Sequence, residues 1–125
     1  MNIWIFCGAL NSLLALLAGA YGWHGLEATS GGRTMFKIGA EYHMWHALAL
    51  FVIAWLSTCV PDAAQPWVRI AGWAFLLGIV LFSGSLYAIG WLGYPPIPGT
   101  APAGGISLAV GWVALIIAAW RMRKV

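Results

Sequence analysis

Long apolar stretches divide the chain, and its charged residues fall in three short zones outside them. The charged residues are Glu27, Arg33, Lys37 and Glu41, then Asp62 and Arg69, and finally Arg121, Arg123 and Lys124. A helix crosses about 30 Å of hydrocarbon with roughly 20 apolar residues, since each residue adds about 1.5 Å. Residues 3–24 and 42–60 each reach this length. They predict two spanning helices.

The third charge-free stretch, residues 70–120, is too long for one crossing. It contains YPPIPGTAPAGG at residues 94–105, whose prolines fix φ and remove backbone donors, so we expect the chain to turn there. Two further helices are predicted, over residues 68–92 and 104–121. No run alternates polar and apolar residues with the period of two that indicates a strand. The pattern predicts an all-α polytopic membrane protein, a bundle of four transmembrane helices.

The four crossings predict a single membrane domain of residues 1–125, with the loops 25–41 and 93–103 together on the outer side. Composition supports this interpretation, because 62% of the residues are apolar and 7% are charged, against about 25% charged in soluble proteins. The lipid bilayer is the expected partner. The net charge of +3 forms no basic stripe, which argues against a nucleic-acid partner.

Lysine and arginine counts in the short loops predict the orientation, because these residues favour the cytoplasmic side. The side that holds both termini carries four of them: Arg69, Arg121, Arg123 and Lys124. The opposite side carries Arg33 and Lys37. This difference predicts that both termini lie in the cytoplasm.

Small residues at four-residue spacing indicate where the helices approach one another. Lipid provides no hydrophobic drive between helices, so close backbone packing and interhelical hydrogen bonds replace it. Packing contacts of this kind are predicted at Gly8, Gly19 and Gly84. Asn11, near the middle of the first helix, is interpreted as an interhelical hydrogen-bonding group.

The segment EYHMWH, residues 41–46, places a carboxylate and two imidazoles at the start of the second helix. Successive side chains on a helix differ by about 100°, so His43 and His46 lie about 60° apart on one face while Glu41 points elsewhere. The ends of other helices bring further polar residues to the same side of the membrane. The predicted polar cluster consists of His24, Glu41, Tyr42, His43, His46, Ser83, Ser85 and Tyr87.

Ionisable residues inside a membrane are functional candidates, and three interpretations of His43 and His46 stay open. Neutral imidazoles hydrogen-bond across helices, or they ligate a metal or haem, or they relay protons or hold a polar ligand, since imidazole titrates near neutrality. Two histidines without a carboxylate on their face are an incomplete metal site. The sequence therefore predicts no metal and no cofactor. Glu41 is interpreted as a surface pair with Lys37.

Four motifs, in order along nearly the whole chain, carry a resemblance to a known family. They are GALN at 8–11, HGL at 24–26, YHMWHALAL at 42–50 and LFSGSLY at 81–87. With these motifs the chain resembles the bacterial domain-of-unknown-function family 423, to which the eukaryotic transmembrane protein 256 is similar. The resemblance implies a small four-helix protein of the bacterial inner (plasma) membrane, and it supplies no reaction.

The rest of the chain offers no enzyme motif, because it has no HExxH and no nucleophile beside a recognisable base. No catalytic residue is assigned, and three hypotheses of function remain. We favour a non-enzymatic packing bundle that forms a homo-oligomer or joins a larger membrane complex. One alternative is binding or conduction of a proton, metal ion or lipid headgroup by the polar cluster. The other is a small membrane enzyme that acts on lipid or quinone with a histidine as base.

Overall fold

A computed structural model describes residues 1–27 and 31–122, and within these ranges the chain forms four long helices and no strand. The helices are α1 (Ile3–Gly25), α2 (Gly31–Cys59), α3 (Gln65–Leu92) and α4 (Thr100–Met122). Each of them is long and apolar enough to cross a membrane. The predicted all-α bundle of four transmembrane helices is confirmed.

The bundle turns many large apolar side chains outward, as a surface in contact with lipid requires. Leu16, Val80 and Ile116 are 62%, 67% and 69% exposed. The interior is centred on α3, where Phe75 is fully buried in one cluster with Leu50 of α2. A water-soluble protein with such an extensive apolar surface would aggregate, so the distribution of side chains agrees with a bilayer as the solvent.

The helix α2 begins earlier than the sequence suggested. Residues 31–41 were expected in a loop, but the helix starts at Gly31 and carries Arg33, Lys37 and Glu41 on its first turns. The apolar-length criterion detects only the part of a helix inside the hydrocarbon. These residues contain no proline that would stop the helix, so it extends beyond the apolar stretch.

The turn between α3 and α4 is short and depends on two glycines. Gly93 and Gly99 both have φ of +86°, a left-handed conformation that glycine adopts without steric cost. The helix α4 starts at Thr100 rather than near residue 104, because Pro102 lies in the first turn, where a proline removes no helical hydrogen bond. The remaining helix ends lie within three residues of the expected positions.

A π-helical turn, Ile79–Ser83, interrupts α3. Such a turn inserts one extra residue and so rotates the side chains that follow by about 100° around the helix axis. At the last residue of the turn, Ser83 Oγ donates to the carbonyl oxygen of Gly39 on α2 at 2.8 Å. The turn also packs against α4, where Gly104 brings the two backbones together. It therefore sets which residues of α3 face α2.

Of the three glycines expected at helix contacts, Gly8 and Gly19 lie at a contact and Gly84 does not. A Cβ atom on Gly8 would stand 3.1 Å from the ring of Phe51, and one on Gly19 would stand 3.6 Å from the Cβ of Ala40. Both positions lie between α1 and α2. Gly84 instead faces outward, with no heavy atom within 4 Å of the place that a Cβ would take.

Candidate functional site

Three helices each contribute one polar side chain to a hydrogen-bonded chain inside the bundle, which we call the Asn11–His43–Tyr87 network. Asn11 lies on α1, His43 on α2 and Tyr87 on α3. The Tyr87 hydroxyl lies 2.9 Å from His43 Nδ1, and His43 Nε2 lies 3.0 Å from Asn11 Oδ1. Because His43 is only 5% exposed, the network joins the three helices within the interior.

The acceptors in this network determine the direction of each hydrogen bond. Asn11 Nδ2 donates to the carbonyl oxygen of Cys7 at 2.8 Å, which turns Asn11 Oδ1, an acceptor only, toward His43. His43 Nε2 therefore carries the proton and donates it to Asn11. His43 Nδ1 accepts from the Tyr87 hydroxyl. The neutral imidazole is thus satisfied at both nitrogens.

His46 has the opposite arrangement of protons. Its Nδ1 lies 2.7 Å from the carbonyl oxygen of Tyr42, and the indole Nε1 of Trp112 lies 3.0 Å from its Nε2. A carbonyl oxygen only accepts and an indole N–H only donates. Nδ1 of His46 therefore carries the proton and Nε2 accepts. The bond from Trp112 ties α4 to α2.

The two histidines of EYHMWH do not share a ligand site. They lie on one face of α2, as the helical spacing suggests, but their rings reach different neighbours. His43 reaches α1 and Tyr87, while the ring of His46 packs 5.4 Å from that of Phe75 and 5.6 Å from that of Trp112, between centroids. The predicted single cluster therefore divides into two separate hydrogen-bonded groups.

The other members of the predicted cluster lie apart from both groups. Ser85 Oγ contacts the carbonyl oxygen of Leu81 and the hydroxyl of Thr100, near the beginning of α4. His24 and Glu41 are exposed, on the last turn of α1 and near the beginning of α2.

Within the described ranges, no three His, Cys, Asp or Glu side chains lie close enough together to hold a metal ion. Both nitrogens of each buried imidazole already bond to protein atoms. A metal would have to displace Asn11 or Tyr87 from His43, or Trp112 from His46, before it could bind there. The arrangement suits interhelical bonding better than ligation.

A groove of about 400 Å³ lies beside the Asn11–His43–Tyr87 network. The three polar side chains form part of its lining, and Leu14 and Val80 belong to its walls. Because Leu14 is 46% exposed and Val80 is 67% exposed, the groove opens sideways toward lipid. Beyond the bonds described, Asn11 retains one amide N–H and the Tyr87 oxygen retains an accepting lone pair.

The hydrogen bond from Trp112 to His46 was not predicted from the sequence. Trp112 lies in an apolar stretch of α4 with no polar neighbour in sequence, and the chain has nine tryptophans. Tryptophan is also common at the edges of a bilayer. Residue type alone therefore does not show whether a tryptophan donates a hydrogen bond to a buried side chain or lies at the membrane interface. Only the packing of α4 against α3 brings this indole within reach of His46.

Comparison with known proteins identifies the family. A family model described as "Protein of unknown function (DUF423)" matches residues 18–105. The chain belongs to the DUF423 family. It is 39% identical over 121 residues to the UPF0382 membrane protein YwdK of Bacillus subtilis, with 95% of this chain and 97% of that protein covered. No solved structure matches it significantly.

A second relative gives the same assignment. The UPF0382 membrane protein SERP0230 of Staphylococcus epidermidis is 37% identical over 120 residues, with 94% of this chain and 95% of that protein covered. This DUF423 chain is a small membrane protein, as its relatives are named and as its four apolar helices indicate. The matched region includes His43, His46 and Tyr87, whereas Asn11 and Trp112 lie outside it.

Replacing Tyr87 with Phe tests the network of this DUF423 protein. The variant keeps the ring but removes the hydroxyl, so His43 Nδ1 loses its donor where lipid provides no substitute. Interhelical side-chain hydrogen bonds in membrane proteins contribute about 0.6 kcal/mol on average and up to about 1.7 kcal/mol. We expect a loss of about 1 kcal/mol in the free energy of unfolding, measured by reversible denaturation in detergent.

Tyr94→Phe provides the matched control, because Tyr94 is 60% exposed in the turn before α4. This variant should unfold with the same free energy as the wild type. Equal stability of the Tyr87→Phe and Tyr94→Phe variants would contradict the network.

Proposed function

We propose that this DUF423 protein is a non-enzymatic integral membrane protein that acts by association in the plane of the membrane, with a second copy of itself or with a larger complex. The observation that carries the proposal is the state of the two buried imidazoles, whose four nitrogens all bond within the protein. A general base needs a nitrogen within reach of substrate. His43 and His46 instead hold helices together.

The outward face of α3 supports association. On this helix Gly72, Gly78 and Gly90 each meet a neighbouring side chain where a Cβ would stand, whereas Gly84 meets no atom within 4 Å. Small residues let helix backbones approach closely in lipid, where van der Waals packing replaces the hydrophobic drive. Gly84 therefore offers space in which a helix from another molecule can pack.

We also propose that both termini lie in the cytoplasm of a bacterial cell. The terminal side carries Arg69, Arg121, Arg123 and Lys124, of which the last two lie outside the described residues. The opposite side carries Arg33 and Lys37, and an excess of positive residues favours the cytoplasmic side. Digestion of a carboxy-terminal tag by protease added to intact cells would contradict this orientation.

Replacing Gly84 with Leu separates association from folding. The new side chain enters space that no other atom of the same molecule occupies. We therefore expect no loss in the free energy of unfolding. The new side chain also fills the space for a second helix, so cross-linked or co-purifying species should fall several-fold. Chemical cross-linking in native membranes and the particle mass in mild detergent measure this change.

Ala119→Leu is the matched control, because Ala119 is an exposed small residue on α4. Association of this variant should equal that of the wild type. A wild-type protein that is strictly monomeric, with no co-purifying protein, would contradict the association proposal. An equal loss of association in the Gly84→Leu and Ala119→Leu variants would contradict the assignment to α3.

The groove beside the Asn11–His43–Tyr87 network favours a second candidate function, the binding of a small amphiphile from the bilayer. Its volume of about 400 Å³ lies within the range of about 300 to 1,000 Å³ for ligand pockets. Apolar walls suit a hydrocarbon tail, while the remaining amide N–H and hydroxyl lone pair suit a polar head. Gly84 lines the same groove, so an amphiphile and a second protein would compete for it.

Mass spectrometry of the organic molecules that the purified protein retains tests this second candidate. We expect one compound to be enriched over bulk membrane lipid in the wild type and in Tyr94→Phe. It should be depleted in Tyr87→Phe, which lacks the hydroxyl at the polar base of the groove. The same lipid profile in all three preparations would contradict the candidate.

A further inference from the structure

A second pocket, of about 280 Å³, lies where the end of α1 meets the beginning of α2. Gly22 and Trp23 line it from α1, and Arg33, Lys37 and Glu41 line it from α2. This part of α2 is the extension that precedes the apolar stretch, so the pocket lies at the level where the helices leave the hydrocarbon. None of its charged residues takes part in the histidine networks.

Arg33 is held at the rim of this pocket by two contacts with Trp23. Its guanidinium carbon lies 3.9 Å from the centroid of the indole ring, and its Nη2 donates to the carbonyl oxygen of Trp23 at 2.7 Å. That carbonyl lies in the last turn of α1, where it has no partner within the helix. Both contacts fix the cation in position.

Lys37 lies one helical turn after Arg33 on the same side of α2. Side chains on a helix tilt toward its amino terminus, so the ammonium of Lys37 extends toward the level of Arg33. Glu41 lies deeper, about 12 Å from Arg33 along the helix axis at 1.5 Å per residue. The positive end of the α2 dipole lies on the same side as the two cations. Among the described residues that line the pocket, the two cations lie at the rim and the carboxylate of Glu41 lies below them.

The deeper part of the pocket is apolar and narrow. Gly19 and Ala40 line it, and Gly22 allows α1 to approach so closely that a Cβ there would stand 2.6 Å from the Cβ of Phe36. Below the rim, the small residues Gly19 and Ala40 form a shallow apolar surface beside the seam of the two helices. A hydrocarbon chain can lie against this surface as it enters the bilayer.

We propose that this pocket binds an anionic phospholipid, with its phosphate between Arg33 and Lys37 and one acyl chain along Gly19. A guanidinium and an ammonium are the groups that bind phosphate in proteins, and basic pockets between membrane helices bind anionic headgroups. The apolar surface continues from the charged rim, which matches a lipid better than a soluble anion. Two cations against Glu41 favour a headgroup that carries no ammonium of its own.

Lipid titration followed by native mass spectrometry of the full chain tests the proposal. Phosphatidylglycerol and phosphatidylcholine with identical acyl chains serve as probes. A cation near an anionic lipid surface contributes a factor of about five in affinity. We therefore expect the wild type to bind phosphatidylglycerol at least about fivefold more tightly than phosphatidylcholine. Lys37→Gln should reduce the affinity for phosphatidylglycerol about fivefold.

Lys37 is exposed, so its variant keeps the fold, whereas Arg33→Gln also removes the contacts with Trp23 and serves as supporting data. Arg69→Gln is the control, since it removes an exposed cation at the opposite end of the bundle, and it should bind both lipids as the wild type does. Equal affinity for the two lipids would overturn the proposal. An equal loss in Lys37→Gln and Arg69→Gln, or displacement of the lipid by inorganic phosphate, would overturn it as well.

Discussion

Lipid cannot replace a missing hydrogen bond, and the two buried histidines of this bundle are arranged accordingly. Each buried imidazole donates from one nitrogen and accepts at the other. His43 does so between Asn11 and Tyr87, and His46 does so between the Tyr42 carbonyl and Trp112. The first arrangement joins α1, α2 and α3, and the second adds α4. The same bonds that satisfy the rings therefore hold the four helices together.

Close packing and these hydrogen bonds depend on each other. The π turn in α3 ends at Ser83, which bonds to a backbone carbonyl of α2, and the residues that follow are directed so that Tyr87 reaches His43. Gly104 lets α4 lie directly against the turn, and that approach accompanies the contact of Trp112 with His46. A change in the backbone at one place would thus alter the polar contacts at another.

The sequence predicted the fold class because spanning length and proline positions determine where a chain crosses a bilayer. Asn11, His43 and Tyr87 could be chosen as candidates because polar residues in apolar stretches are few. Their grouping could not be predicted, because the π turn changes the rotation of α3 and no sequence pattern marks it. Trp112 gave no signal, since its partner is decided by tertiary packing. The start of α2 was missed because polar residues continue a helix as readily as a loop.

Nitrogen-15 chemical shifts of the imidazole rings, measured by NMR in lipid bilayers, test the central claim most directly. Protonated and unprotonated ring nitrogens resonate far apart, so the spectrum reports which nitrogen of each ring carries the proton. We predict opposite neutral tautomers, with the proton on Nε2 of His43 and on Nδ1 of His46, while the exposed His24 serves as an internal reference. The same tautomer in both buried rings, or a doubly protonated ring, would contradict the account.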